Sequence, residues 1–151
     1  MAPTLEHYFT MRAYFDRPNM LPVGKVKGGP QRTVVPLNTG WLRGNGTNAE
    51  LLPGSGDWFL LNPETNTGNI DVRISLRTDK GHSIYVHYDG LMKVDAACVA
   101  DIIGPDYETS DPELKWIESL AWVAEGRWTV EEGEIAIEYE IHRVRPTVKT
   151  V

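Results

Sequence analysis

Apolar and polar residues alternate along much of this chain. Ile70, Val72, Ile74 and Leu76 are interleaved with Asp71, Arg73 and Ser75, and after Asp79-Lys80-Gly81 the pattern resumes with Ile84, Val86 and Tyr88 between Tyr85, His87 and Asp89. A period of two sends alternate side chains to opposite faces of a strand, so Ile70 to Thr78 and His82 to Met92 read as the arms of a hairpin. A short loop ending in Gly favours a type I turn with a bulge at a left-handed Gly, which sets Thr78 opposite His82. That register pairs Leu76 with Ile84, Ile74 with Val86 and Val72 with Tyr88 on one apolar face. The other face sets Ser75 beside Tyr85, Arg73 beside His87 and Asp71 beside Asp89. A slip of one residue would oppose apolar and polar side chains throughout, which a buried face penalises.

Similar signals mark Glu6 to Phe15, Arg32 to Leu37, Trp41 to Arg43 and Thr47 to Leu52 around Gly44-Asn45-Gly46, and Asp57 to Leu61 after Pro53-Gly54-Ser55-Gly56. Trp116 to Val130 and Glu134 to Val144 flank Glu132-Gly133. The pattern predicts about eight or nine strands. Val94 to Ile103 alone has a helical character, and Asp111-Pro112-Glu113-Leu114 has the residues to open a short helical turn. Long antiparallel strands without matching amphipathic helices bury their apolar faces against one another. The expected fold is therefore all-β with little helix, a closed barrel or a sandwich, and the barrel also removes free edges.

Composition narrows the function. The 151 residues, 41% hydrophobic and 24% charged, suit a single domain over 1–151. A net charge of −6 opposes the cationic attraction on which nucleic-acid and anionic-membrane binding depend, so neither partner is expected. Cys98 is the single cysteine, which removes an intramolecular disulfide and a thiolate metal cage and suits a reducing compartment. The first residues carry no basic stretch followed by an apolar run, and no segment approaches the roughly 18 apolar residues of a membrane span. A soluble, cytoplasmic protein is the expectation, and Asn45-Gly46-Thr47 reads as a turn rather than a glycosylation site.

Several chemistries fall away on spacing. Gly24 to Pro30 is rich in Gly but lacks the Lys-Ser or Lys-Thr and the following helix of a phosphate loop. His82 and His87 are an odd number of residues apart on one expected strand and face opposite ways, so they share no metal, and no metal is expected. Gly54-Ser55-Gly56 is a turn without the helix that presents a nucleophilic serine. Cys98 lies among Ala96, Ala97, Val99 and Ala100, surroundings that raise a thiol pKa. What remains is the polar face of the hairpin, with Asp71, Arg73, Tyr85, His87 and Asp89, and the turn-flanking pair Asp57-Trp58. Inside a barrel this face would supply acid, base and anion-stabilising groups at low dielectric; outside it would be a solvated surface. Periodicity leaves both orientations open. Trp41, Trp116, Trp122 and Trp128 either line a pocket or fill one.

The ordered series Gly24, Arg32, Pro36, Gly40, Gly44, Leu52-Pro53-Gly54-Ser55-Gly56-Asp57-Trp58, Asp71-Val72-Arg73, Thr78-Asp79-Lys80-Gly81, Ile84-Tyr85-Val86 and Gly90, continued by Glu108-Thr109 and Lys115-Trp116-Ile117-Glu118, resembles the domain-of-unknown-function 3237 family, also called uncharacterised protein family 0311. The resemblance implies a lipocalin-like antiparallel β-barrel with a central cavity, and places Arg32, Asp57, Asp71 and Arg73 facing that cavity. Two departures stand out: Thr39-Gly40 replaces the family's Gly-Gly, and Lys93 to Asp106 does not follow its pattern. Some barrels of this kind in fungal natural-product pathways look like cofactor-free enzymes that dehydrate, isomerise or cyclise polyketide and terpenoid intermediates, including by hetero-Diels–Alder addition.

The resulting expectation is a cofactor-independent lyase, isomerase or cyclase acting on a hydrophobic, oxygenated small molecule in secondary metabolism. Arg73 and Arg32 would polarise an oxygen, Asp57, Asp71 or His87 would move the proton, and Trp58, Tyr85, Trp41 and Trp122 would hold the flat surface of the substrate. A non-catalytic carrier or sensor of a hydrophobic metabolite is the competing expectation. Small barrels with exposed apolar strands commonly dimerise, so a homodimer is also within expectation.

Overall fold

A computed structural model describes residues 2–95 and 99–147. Ten strands form one antiparallel sheet: β1 (Thr4–Phe15), β2 (Leu21–Lys25), β3 (Gln31–Gly44), β4 (Thr47–Leu51), β5 (Ser55–Asn62), β6 (Thr67–Thr78), β7 (Ser83–Lys93), β8 (Val99–Thr109), β9 (Trp122–Glu131) and β10 (Glu134–Arg145). β1 pairs with both β10 and β3, which closes the ring. β2 lies beside β3 beyond the end of the β1 ladder, and β4 and β5 share the space between β3 and β6, so the ten strands act as eight staves. The all-β expectation holds.

The register of the central hairpin follows from its alternation. Leu76 faces Ile84, Ile74 faces Val86, Val72 faces Tyr88, and Asp71 faces Asp89. Gly81 adopts φ +86°, and the backbone N–H of Thr78 donates to the His82 carbonyl at 2.8 Å. Closure at the β1–β3 seam depends on two further glycines. Gly40 (φ +154°) and Gly44 (φ +147°) press onto β1, where an added Cβ would lie 2.1 Å from the Arg12 carbonyl oxygen and 2.2 Å from that of Tyr8. Of the departing pair Thr39-Gly40, the glycine retained is thus the one the close approach requires.

Elsewhere the ring closes unevenly. β8 meets β9 only between Val99–Ile103 and Val123–Arg127. Beyond that point the short 3-10 turn Lys115–Ser119 covers the gap, with Ile117 and Trp122 each 1% exposed and the Trp122 indole N–H donating to the Ile117 carbonyl at 3.1 Å. The expected strand from Trp116 therefore begins only at Trp122. The helical expectation is overturned over Val99 to Ile103, which is the start of β8, in which Ala100 and Ile102 are buried and Asp101 is exposed. Ala96, Ala97 and Cys98 lie outside the described residues. The interior is filled by the apolar columns of every stave, among them Phe9, Met11, Ile74, Val86, Ile102 and Ile141. Among the described residues no helix is long and apolar enough to cross a membrane.

Candidate functional site

Orientation follows directly from the register. Ile70, Val72, Ile74, Ile84, Val86 and Tyr88 are at most 2% exposed and fill the barrel, which sends Asp71, Arg73, Tyr85, His87 and Asp89 to its outer face. The expectation that Arg32, Asp71 and Arg73 face a central cavity is corrected, and His87 lies outside with them. The physical reason is cost: the interior has an apolar partner for every apolar column, whereas an ionised group placed there would need a compensating partner. Asp57 is the exception, since it pairs with the inward residues Val35 and Val72.

These groups converge where β5 and β6 part. Their ladder is regular at Asp57–Val72 and again at Leu60–Asn69, but lacks the pairs between. Side chains satisfy the backbone there. The Asp57 carboxylate accepts the Asp71 N–H at 3.1 Å, and the Arg32 guanidinium donates to the Trp58 carbonyl at 2.5 Å. Over this seam lies a groove of about 610 Å³ on the outer face, lined by Arg32, Trp58, Leu60, Asp71, Leu91 and Asp101 among others. At its margin His87 Nε2 is 3.1 Å from Asp71 Oδ1 and 4.0 Å from Asp89 Oδ1, and the Arg73 guanidinium lies over the Trp58 ring at 5.5 Å.

Beneath the groove, burial raises the Asp57 carboxyl from 3.8 to about 7; the Asp71 N–H bond opposes the rise, the Asp71 charge adds to it and the Arg32 charge opposes it. Asp57 shares an inner cross-strand row with Val72 and Tyr88. The Tyr88 ring meets that of Tyr139 at 5.2 Å, and Tyr107 completes a set of inward phenols at most 3% exposed. Burial pushes all three phenols up, which keeps them protonated at neutral pH. The Tyr88 and Tyr139 hydroxyls interact with each other, whereas the Tyr107 hydroxyl has no hydrogen-bond partner among the described residues. Met11, Val86, Ile102 and Ile141 close around Tyr88 and Tyr139 too tightly to admit a water molecule. Sequence reasoning missed these tyrosines because they occupy apolar columns; a phenol in such a column was the available signal.

The remaining candidates are dispersed. Trp41 is on the outer face between the Arg12 and Arg43 guanidiniums, 5.8 and 4.1 Å from its ring. Trp122 is core. Tyr85 borders a separate depression of about 690 Å³ with Arg77, Glu108, Lys115 and Glu118. His82 turns to Asp111 at 4.0 Å, away from His87, as the odd spacing requires. Asp71, His87 and Asp89 do come together: each offers one ligand atom within 4.8 Å of the others, a grouping that a search for paired histidines did not reveal.

Comparison with known proteins places this geometry. The sequence profile of a family described as "protein of unknown function (DUF3237)" matches residues 3–144. A UPF0311 protein of Clostridium acetobutylicum is 25% identical over 132 residues, spanning 78% of this chain and 82% of that protein. A "beta-barrel like protein" of Acinetobacter baumannii superposes with a TM-score of 0.77 at 20% identity over 96% of this chain and 98% of its own. A structure described as "an enzyme from Penicillium herquei" gives a TM-score of 0.67 at 14% identity, with 96% of each chain covered. The last two likenesses show the fold.

Proposed function

The chain belongs to the DUF3237 family, and from that premise we propose that it is a cofactor-independent proton-transfer enzyme, a dehydratase, isomerase or cyclase, for a hydrophobic oxygenated small molecule bound in the outer groove. The observation that carries the reading is Asp57 at the parted β5–β6 seam: its inward carboxyl, raised to about 7, accepts the N–H of Asp71 and adjoins Trp58, both of which line the groove. A group poised near neutral pH can take and return a proton with little driving force lost in either direction. The Asp71–His87 pair offers a second proton carrier at the groove margin. Arg32 and Arg73 supply fixed positive charge for an oxygen that becomes negative as a proton leaves the adjacent carbon. Trp58 and Leu60 supply the flat apolar floor. The enzyme of Penicillium herquei with this fold adds support at the level of architecture, and polyketide or terpenoid intermediates, including those closed by hetero-Diels–Alder addition, are the substrate class we favour.

The test needs no natural substrate. 1-Tetralone incubated with the protein in D2O is followed by NMR for deuterium entering the carbon beside the carbonyl. The wild type is expected to accelerate exchange, with a loss of about 10²–10⁴-fold in Asp57→Asn. Exchange at the uncatalysed rate, despite binding to the groove, would overturn the reaction and leave the carrier reading.

A further inference from the structure

The groove is electrically lopsided. One cross-strand row, Arg32–Leu60–Asn69–Leu91–Asp101, runs straight across five strands of the outer face. At about 4.8 Å per strand its ends are roughly 19 Å apart along the sheet. Arg32 stands at one end and Asp101 at the other, with Leu60 and Leu91 between them. Arg32 is held to the Trp58 carbonyl, and Asp71 is engaged by His87 at 3.1 Å and Arg73 at 4.0 Å. The far end has no such pairing. The Asp101 side chain makes no ion pair or hydrogen bond among the described residues, although its backbone is paired to Leu91 and Glu125, and the Asp89 side chain, 74% exposed, reaches only His87, at 4.0 Å.

Leu91 lies between these two carboxylates, since it faces Asp101 across the β7–β8 ladder and shares the outer side of β7 with Asp89. It is 57% exposed, an apolar side chain left uncovered beside uncompensated negative charge. Gly90 holds the two strands close at this point: an added Cβ would lie 2.8 Å from the Asp101 carbonyl oxygen. An apolar surface with spare carboxylates at one end complements an apolar molecule with a positive charge at one end. Burial of the skeleton on Leu91, Leu60 and Trp58 would bring the cation to Asp89 and Asp101.

We propose that the groove selects a ligand whose apolar skeleton carries a protonated amine, seated between Asp89 and Asp101, with its oxygenated end towards Arg32. This rests on the groove being the substrate site and adds the charge class of the substrate. A neutral polyketide-like skeleton without an amine would leave the β7–β8 end unused.

Three matched probes test the inference on the intact protein: 2-naphthylmethylamine, 2-naphthylmethanol and 2-naphthoate, titrated at pH 7 and followed by the Trp58 indole and Leu60 and Leu91 methyl resonances. The amine is expected to bind about ten-fold more tightly than the alcohol, a preference that shrinks with added salt. In Asp89→Asn/Asp101→Asn, two exposed positions whose replacement spares the fold, the amine and the alcohol should bind alike. Equal or tighter binding of the alcohol or carboxylate to the wild type would overturn the amine assignment while leaving the groove as a site. A preference that survives the double substitution would overturn it as well, as would micromolar Mn2+ competing the amine away through Asp71, His87 and Asp89, which would identify that end as a metal site. Absence of any shift at Trp58, Leu60 and Leu91 would remove the groove itself and with it both readings.

Discussion

Val72 and Arg73 are neighbours in the chain, yet Val72 is 1% exposed against Tyr88 while Arg73 has half its side chain in solvent beside His87. The same contrast runs through β5, β6 and β7. Their inner face is dry and holds few polar groups: Ser55 and Thr78 are satisfied by hydrogen bonds, while burial raises the Asp57 carboxyl to about 7 and pushes the Tyr88 phenol up. Their outer face holds more charge, and those charges are shared among Asp71, Arg73, His87 and water. Chemistry needs something from each, a perturbed proton carrier from the dry side and an open surface with room for a ligand from the wet one. The parted β5–β6 ladder is where the two meet.

Four substitutions separate the faces. Ile74→Ala on the inner face removes a side chain that is 0% exposed and should cost about 2–5 kcal/mol in urea denaturation. A loss under about 1 kcal/mol would mean the interior is loosely packed. Asp57→Asn comes next, with a pH signature. The native carboxyl keeps its proton up to about pH 7, whereas the unfolded chain releases it near 3.8. The native state thus binds more protons between these values, and wild-type stability falls as pH rises through the window. The amide, which still accepts the Asp71 N–H, should therefore stabilise by on the order of 2–4 kcal/mol at pH 8 and by nothing near pH 3. A gain independent of pH would show that the carboxyl is not perturbed.

Tyr107→Phe deletes a buried hydroxyl without a partner among the described residues. It should be neutral or stabilising by about 1 kcal/mol, and a clear loss would reveal an acceptor for that hydroxyl. Arg73→Ala on the outer face should change stability by less than about 0.5 kcal/mol, because its contact to Asp71 is 4.0 Å long and solvated. Any larger effect would mean the outer face carries structural weight.

The register of the β6–β7 hairpin was legible because four apolar residues before a recognisable turn and three after it alternate strictly with polar ones. Which face points inward was not, since periodicity is symmetrical between the two; the family resemblance drew Arg32, Asp71 and Arg73 inward, and the cost of burying their charge decides otherwise. β2 was invisible because Pro22 and Gly24 interrupt it and all five of its residues are exposed. β8 was hidden by the alanine-rich run that leads to it, since alanine favours helix by intrinsic propensity; Ala100 itself fits the strand, where it pairs with Gly126. The Asp57-Trp58 step was flagged from its turn, but its value lies in the gap in the ladder, which depends on strands far apart in sequence.

The central claim is that one inward carboxyl, at the seam under the groove, is held near neutrality. It is tested most directly by the carbon-13 resonance of the Asp57 carboxyl followed from pH 3 to pH 9. The account predicts a midpoint near 7, and a midpoint near 4 would contradict it.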